Sequence, residues 1–213
     1  MDLMKNIIGS ILAFDEDGTV RGVQAELERG TDARIILNNG LIAAMDEAGK
    51  YYDRGIFFVP EMMMAAEAMK SGISILRPHL KNAGVTPAGC IVIGTVKGDQ
   101  HAIGKNLVAM MLECAGFRVI DLGKDVDPDG FVVTARQNGA KLIALSALLT
   151  STLSSMEATA SRIKSGKTPL KILVGGAPVT KAFAGRIGAD GYSPDATGAV
   201  VVARNLIGSG FSE

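Results

Sequence analysis

Hydrophobic side chains recur every three or four positions through about the first 80 residues, a spacing that lines one face of a helix. Asp32 precedes one such stretch and is predicted to cap that helix, because its carboxylate can accept from free backbone N–H groups. Pro60 opens another helix, at a position where its missing N–H costs little. The predicted helices cover residues 4–14, 20–29, 61–80 and a stretch from Asp32 that buries Ile35, Ile36, Leu41, Ile42 and Met45. Short connections between four helices indicate a small bundle.

The pattern changes after residues 81–89, where Asn82, Gly84, Pro87 and Gly89 are typical of a linker. Beyond it, short apolar and β-branched runs alternate with helical patterns. Strands are predicted at 90–96, 117–122, 141–147, 170–175 and, more weakly, 189–192, and helices at 102–115, 128–138, 152–165, 178–187 and 195–207. This alternation predicts a parallel sheet with helices on both faces. We therefore expect an α + α/β protein, with a four-helix bundle over 1–84 and a doubly wound (flavodoxin-like) five-stranded sheet of order 2-1-3-4-5 over 85–213.

Composition and charge exclude several functional classes. The 213 residues are 47% hydrophobic, and 22 basic residues balance 22 acidic ones, so the chain lacks the basic surface of a nucleic-acid-binding protein. No apolar run is long enough to span a bilayer, and the N-terminus lacks the basic start and cleavage site of a signal peptide. Cys90 and Cys114 fall in a predicted strand and a predicted helix. We interpret both as reduced core residues, which indicates a cytoplasmic protein.

The hexapeptide Asp99-Gln100-His101-Ala102-Ile103-Gly104 lies where the first predicted strand gives way to a loop and a helix. In an open α/β sheet, ligands bind beyond the carboxyl ends of the strands. Asp99 is spaced to accept a hydrogen bond from Nδ1 of His101, as happens in metal-ligating histidines. Taken alone, a histidine on a surface loop is the alternative interpretation. A lone histidine suits a metal that a macrocycle already holds, since a protein-only zinc site takes three or four ligands.

Two further segments follow predicted strands at the same edge of the sheet. Residues 146–152, Ser-Ala-Leu-Leu-Thr-Ser-Thr, follow one strand, and the pair 175–176, Gly-Gly, follows the next. Hydroxyl residues often cap helices, and paired glycines form tight turns, although they also let a ligand approach the backbone. The spacing adds information: 41 residues (105–145) separate Gly104 from Ser146, and 26 residues (149–174) separate Leu148 from Gly175.

With this spacing, the pattern Asp-x-His-x-x-Gly, Ser-x-Leu and Gly-Gly resembles the cobalamin-binding domain of methionine synthase, B12-dependent mutases and corrinoid methyltransferase proteins. The resemblance extends over essentially the whole chain. Residues 59–69, Val-Pro-Glu-Met-Met-Met-Ala-Ala-Glu-Ala-Met, are similar to the fourth helix of the cap bundle in the methyl-transferring branch. Residues 188–196 are similar to the end of these domains.

The resemblance implies a role for the residues of the first motif. His101 would be the lower axial ligand of cobalt, and Asp99 would hydrogen-bond to it. The family's relay can include a third, hydroxyl-bearing residue, which here is Thr152 instead of serine. No residue is predicted to be catalytic. The predicted cofactor-binding residues are Asp99, Gln100, His101, Ala102, Ile103, Gly104, Ser146, Leu148, Thr150, Thr152, Gly175, Gly176 and Tyr192.

The same resemblance implies surroundings for the cofactor. Ser146 and Thr150 would face its nucleotide tail or the corrin edge, and residues 175–176 would line the slot for that tail. The helical bundle would shield the upper face of the corrin, and the linker 81–89 would act as its hinge. The candidates for that apolar cover are Phe57, Phe58, Met62, Met63 and Met69, each of which could instead belong to the core of the bundle.

The function that the resemblance implies is that of a methyl carrier, whose cobalamin cycles between cobalt(I) and methyl-cobalt(III). Its partners would be a substrate-specific methyltransferase, a second methyltransferase that passes the methyl group to tetrahydrofolate or coenzyme M, and a reductive activase, with no nucleic acid or membrane. The chain would be a subunit that is not catalytic by itself. Methylamines, methanol, methoxylated aromatics and quaternary amines all stay open as donors.

Two alternative functions use the same cofactor, and a third uses the same sheet. A B12-binding subunit of a mutase is disfavoured by the helical cap, because substrate must reach the cofactor from a separate barrel. A B12-binding sensor would need an output domain, and the chain has no tryptophan to cap an adenosyl group. A response-regulator-like domain would need a phosphoacceptor aspartate after the first strand, where residues 95–98 supply none.

Overall fold

The structure, a computed structural model, describes residues 3–82, 87–166 and 169–208. The chain divides into two compact units, Met1–Thr86 and Pro87–Glu213. Of the predicted linker 81–89, residues 83–86 lie outside the described residues. Within the described ranges, no helix is both long enough and apolar enough to cross a membrane.

The first unit is helical, as predicted. Its elements are α1 (Leu3–Leu12), α2 (Glu16–Glu28), α3 (Ala33–Ile35), a π-helix (Ile36–Ile42), α4 (Ala43–Asp53) and α5 (Val59–Asn82). Because α3, the π-helix and α4 follow one another without a break, residues 3–82 form four helical rods. Asp32 caps α3 as expected, since its Oδ1 accepts from the N–H of Arg34 at 2.7 Å. Apolar side chains from all four rods fill the interior, among them Ile7, Val23, Leu41 and Met69.

Two details of this unit differ from the prediction. Helix α2 begins at Glu16, four residues earlier than position 20, because Asp15 caps it by accepting from the N–H of Gly18 at 2.8 Å. The prediction that Ile35 is buried is wrong: this side chain is exposed. The buried face steps from Ile36 to Leu41, which is the five-residue step of a π turn, and this step leaves Ile35 outside it.

The predicted apolar cover splits into two groups. Phe57, Met62 and Met69 are buried in the helical unit, so they belong to its core. Phe58 and Met63 are 63% and 57% exposed. Of the five candidates, only these two present surface that a bound group could contact.

The second unit contains a five-stranded parallel sheet of order β2-β1-β3-β4-β5, which confirms the predicted topology. Strands β1 and β3 are apolar and buried almost throughout, as expected for a sheet covered on both faces. The strands are β1 (Cys90–Thr95), β2 (Arg118–Asp121), β3 (Leu142–Ser146), β4 (Lys171–Gly175) and β5 (Gly191–Ser193). The helices are α6 (Ile103–Cys114), α7 (Pro128–Gln137), a 3-10 turn (Thr150–Thr152), α8 (Leu153–Lys164), α9 (Lys181–Ile187) and α10 (Ala196–Ile207).

The strand register aligns the carboxyl ends of four strands. Thr95 pairs with Ser146, Ser146 with Gly175, and Gly175 with Ser193, so the last residues of β1, β3, β4 and β5 form one row. The loops that follow β1, β3 and β4 therefore leave the sheet side by side. This edge is where ligands bind in open α/β sheets.

Candidate cofactor-binding site

Asp99 lies in the loop after β1 with its carboxylate fully buried. Its Oδ1 accepts from the N–H of His101 at 3.0 Å and lies 2.9 Å from Nδ1 of the same residue. Its Oδ2 accepts from the N–H groups of Leu148 at 2.7 Å and Leu149 at 3.3 Å, and lies 2.9 Å from Oγ1 of Thr152. One carboxylate thus joins the loop after β1 to the loop after β3. The structure brings together three predicted side chains, Asp99, His101 and Thr152.

The ionisation of Asp99 follows from these contacts. Burial by itself raises the pKa of the carboxyl group, but the N–H groups of His101 and Leu148, the His101 ring and the Thr152 hydroxyl together hold that pKa well below its usual range. At neutral pH the group is therefore a carboxylate, which accepts hydrogen bonds and cannot donate. Nδ1 of His101 therefore donates to this carboxylate, so in the neutral ring the lone pair lies on Nε2.

The imidazole and the carboxylate differ sharply in exposure. The His101 side chain is 49% exposed, whereas that of Asp99 is 0% exposed. This arrangement suits a ligand of a bound metal, because the ring is accessible while the buried carboxylate orients it.

The Thr152 hydroxyl has two acceptors within reach. Its Oγ1 lies 2.9 Å from Oδ2 of Asp99 and 2.8 Å from the carbonyl oxygen of Leu149. A hydroxyl has one proton, so it donates to one of these acceptors at a time. The threonine that replaces the family's serine therefore keeps its hydroxyl in contact with Asp99.

Two residues that hold this loop were not found by sequence reasoning. Thr95 is fully buried, and its Oγ1 donates to the carbonyl oxygen of His101 at 2.8 Å. Asp125, whose φ is +57°, donates its N–H to the carbonyl oxygen of Asp99 at 3.0 Å and accepts from the N–H of Gly98 at 2.8 Å. The only sequence signal for Thr95 is a hydroxyl residue inside an otherwise apolar strand.

Exposed apolar side chains lie in the segments that adjoin Asp99 and His101. Ile103 is 79% exposed, and Leu148 and Leu149 are exposed as well. A Cβ added at Gly104 would meet no atom within 4 Å, although glycine inside a helix costs about 1 kcal/mol relative to alanine. Packing within the described residues therefore does not explain this glycine, and its role in leaving room for a bound group stays a prediction.

The glycine pair at 175–176 has an explanation within the chain. Gly176 has a φ of +121°, and a Cβ there would lie 1.9 Å from the carbonyl oxygen of Ala147. A Cβ at Gly175 would lie 3.0 Å from the carbonyl oxygen of Ser193. The backbone alone requires glycine at Gly176 and crowds Gly175, so the slot for a nucleotide tail stays a prediction.

The other predicted site residues lie at or near the same edge. Ser146 is in the aligned row, and Gln100 and Thr150 are exposed in the loops after β1 and β3. Ala102 is the residue before α6. Tyr192 lies one step back from the edge, pairs with Val174, and packs against the core of the sheet unit. Their roles in binding stay predictions.

The donor set fits a metal that is held mainly by something other than the protein. Among residues 3–82, 87–166 and 169–208, no three His, Cys, Asp or Glu side chains are grouped closely enough to bind a metal ion. His101 offers one ring nitrogen, which suits a metal whose other ligands come from a macrocycle.

Comparison with known proteins identifies the macrocycle. Residues 89–201 and residues 3–77 each match a family model described as a B12 binding domain. Dimethylamine corrinoid protein 2 of Methanosarcina mazei is 39% identical over 209 residues, which cover 97% of each chain. The chain belongs to the B12-binding corrinoid proteins. Cobalamin is its cofactor, as the resemblance implied, and the accessible imidazole of His101, the exposed apolar side chains near it and the open space at Gly104 fit that cofactor.

Two further comparisons concern relatives of this corrinoid protein. Trimethylamine corrinoid protein 2 of Methanosarcina acetivorans is 40% identical over 195 residues, 90% of each chain. The crystal structure of the methanol:cobalamin methyltransferase complex MtaBC from Methanosarcina barkeri superposes with a TM-score of 0.83 and 29% identity, covering 97% of this chain and 80% of that one. The resemblance to corrinoid proteins predicted from the motif spacing is thereby confirmed.

Proposed function

We propose that this corrinoid protein is a methyl carrier that holds cobalamin at the carboxyl edge of its sheet, with Nε2 of His101 as the protein ligand of the cobalt. The observation that carries the proposal is the 2.9 Å contact between Oδ1 of Asp99 and Nδ1 of His101. It assigns the ring proton to Nδ1 and leaves Nε2 as the lone-pair donor on an exposed ring.

Bound cobalamin supplies a cobalt centre that accepts a methyl group and gives it up again. The residues around it would set the behaviour of the imidazole. While Nε2 is bound to the metal, the negative Asp99 carboxylate strengthens the ring as a donor. While Nε2 is not bound, the same carboxylate would keep the ring oriented through its contact with Nδ1.

The proposal includes enzyme partners that act on the bound cofactor. A substrate-specific methyltransferase would load the methyl group, a second methyltransferase would pass it to tetrahydrofolate or coenzyme M, and a reductive activase would maintain the cobalt. The names of the relatives, which include dimethylamine and trimethylamine corrinoid proteins and a methanol:cobalamin methyltransferase complex, support a methyltransferase as partner; the second methyltransferase and the activase follow from the proposed carrier cycle. These names refer to different methyl donors, so similarity alone does not identify the donor for this protein.

The test compares three proteins: the wild type, His101→Ala and His79→Ala. His79 is the other histidine of the chain and is exposed on α5, which makes it a matched control. Each protein is incubated with hydroxocobalamin, passed through gel filtration, and examined by visible spectroscopy before and after reduction and treatment with methyl iodide. We expect wild type and His79→Ala to retain cobalamin with a nitrogen-ligated spectrum, and His101→Ala to lose that spectral feature.

Isotope labelling identifies the ligand directly. With cobalt(II) in the site, nitrogen-14 on the lower ligand splits each electron paramagnetic resonance line into a triplet, and nitrogen-15 splits it into a doublet. Histidine labelled with nitrogen-15 should therefore convert triplets to doublets in the wild type and in His79→Ala. Unchanged triplets, or a spectrum of His101→Ala equal to that of wild type, would remove His101 as the ligand. Failure to retain any corrinoid would remove the whole proposal.

A further inference from the structure

We propose that Thr95 is a positioning residue for the imidazole of His101, which it holds through the main chain. The proposal rests on the proposed function of His101 as the cobalt ligand. The observation behind it is a hydrogen bond of 2.8 Å from Oγ1 of Thr95 to the carbonyl oxygen of His101.

The bond completes a pair of anchors on His101. Oδ1 of Asp99 holds the N–H of His101 at 3.0 Å, and Thr95 holds its carbonyl oxygen at 2.8 Å. These two groups lie on opposite sides of the Cα atom. Tying both fixes the backbone of His101 and therefore the direction in which its side chain leaves. The Asp99 contact at Nδ1 then fixes the rotation of the ring.

The anchor at Thr95 belongs to the sheet and not to the loop. Thr95 ends β1 and pairs with Ser146 of β3. Its own N–H donates to the carbonyl oxygen of Gly123 at 3.0 Å, and its carbonyl oxygen accepts from the N–H of Val126 at 3.0 Å. The hydroxyl is thus a buried donor on a backbone that the sheet holds in place. Its hydrogen bond therefore fixes the main chain of His101 relative to the sheet.

The exposure of the ring makes these anchors necessary. The His101 side chain is 49% exposed, so packing against neighbouring side chains holds it only in part. A ligand that swings away from the metal lowers affinity, and loss of an outer hydrogen-bond partner of a metal ligand typically lowers metal affinity about 10- to 100-fold. Thr95 acts one step further away, through the main chain, and we expect an effect near the lower limit of that range.

Two substitutions separate the hydroxyl from the shape of the side chain. Thr95→Val keeps the β-branched shape that suits a strand and removes the donor. Thr95→Ser keeps the donor and removes a methyl group. We expect Thr95→Val to weaken hydroxocobalamin binding about tenfold and to reduce the nitrogen splitting of the cobalt(II) spectrum, and Thr95→Ser to restore both.

A measurement on the cofactor-free protein tests the same idea without cobalamin. The chain contains two histidines, so a long-range nitrogen–proton NMR spectrum shows two rings, with His79 as the internal reference. In Thr95→Val, the His101 ring should show averaging between the two tautomers, while the His79 signals stay unchanged. Thr95→Ser should give the wild-type spectrum.

The outcomes are distinct for the two proposals. Wild-type behaviour of Thr95→Val in affinity, splitting and ring NMR would overturn the role of Thr95, as would equal defects in Thr95→Val and Thr95→Ser. If labelling histidine with nitrogen-15 leaves the triplets of the wild type unchanged, the proposed ligand fails, and the ring NMR of the cofactor-free protein then decides about Thr95 alone. Should Thr95→Val not fold, Thr95→Ala takes its place in the same comparison with Thr95→Ser.

Discussion

Replacing Asp99 by asparagine removes one acceptor from the buried carboxylate while keeping the size of the side chain. Asparagine presents one oxygen and one NH2 group, whereas both oxygens of Asp99 face donors. In one orientation, the amide oxygen of the asparagine faces Leu148 and Thr152, and its NH2 group then faces the N–H of His101, so two donors meet. Nδ1 can then only accept, so the ring proton moves to Nε2, the atom proposed to bind cobalt. In the opposite orientation the NH2 group faces the N–H of Leu148.

The magnitude follows from the number of bonds that change. A hydrogen bond to a charged group contributes about 1.5–3 kcal/mol, and a donor left unpaired in the interior costs about 1–3 kcal/mol. Either orientation of the amide loses at least one such bond at a side chain that is fully buried in the native protein. We therefore expect Asp99→Asn to destabilise the sheet unit by about 2–4 kcal/mol and to lower the affinity for hydroxocobalamin by about 10- to 100-fold.

Amide hydrogen exchange followed by NMR is the suitable assay, because it reports each unit separately. The N–H of Leu148 and the amides of β1 and β3 should exchange faster in Asp99→Asn. Asp15→Asn is the control: it makes the same chemical change at the cap of α2, where asparagine is an equally good cap, so a change below about 0.5 kcal/mol is expected. Wild-type protection at Leu148, together with wild-type cobalamin affinity in Asp99→Asn, would refute the reasoning.

Three further predictions concern Gly104 in helix α6, the ion pair between Lys105 and Asp121, and Phe58 in the helical unit. Gly104→Ala should stabilise the cofactor-free protein by about 0.5–1 kcal/mol in thermal unfolding but weaken cobalamin binding, whereas Gly185→Ala, equally open, should give only the gain. Asp121→Asn should cost about 2–4 kcal/mol in urea unfolding, because the carboxylate of Asp121 in β2 pairs with the buried ammonium of Lys105 in α6. Lys105→Met should cost under about 1 kcal/mol, since Asp121 is partly exposed. Phe58→Ala should change stability by less than about 0.5 kcal/mol, so lower cobalamin retention in this variant would report contact with the cofactor.

The sheet unit was predictable because its strands β1 and β3 are buried on both faces. Residues 90–96 and 141–147 are nearly continuous apolar runs, and each is followed by a helical pattern, which leaves few alternatives to a parallel sheet. The helical unit was predictable in outline only. A period of 3.6 residues cannot indicate a π-helix at Ile36–Ile42. In the first half of α2, Gly18 and Gly22 interrupt the apolar periodicity, so the pattern does not mark where this helix begins.

The site was predictable to the extent that its contacts are local or matched a known spacing. Asp99 and His101 are two residues apart, so their pairing follows from the loop itself. Thr152 is 53 residues from Asp99 and was reached through the resemblance. Thr95 and Asp125 act on main-chain groups of the loop. A sequence shows which side chains are present, but it does not show which carbonyl or N–H group each one meets.

The two oxygens of Asp99 make the lengths of two loops interdependent. One oxygen serves His101 after β1, and the other serves Leu148 and Thr152 after β3. An insertion in either loop would draw donors away from the shared carboxylate and so disturb the other loop. Transplanting this site into another doubly wound sheet therefore requires moving both loops together, along with the register of β1 on β3 that sets the distance between them.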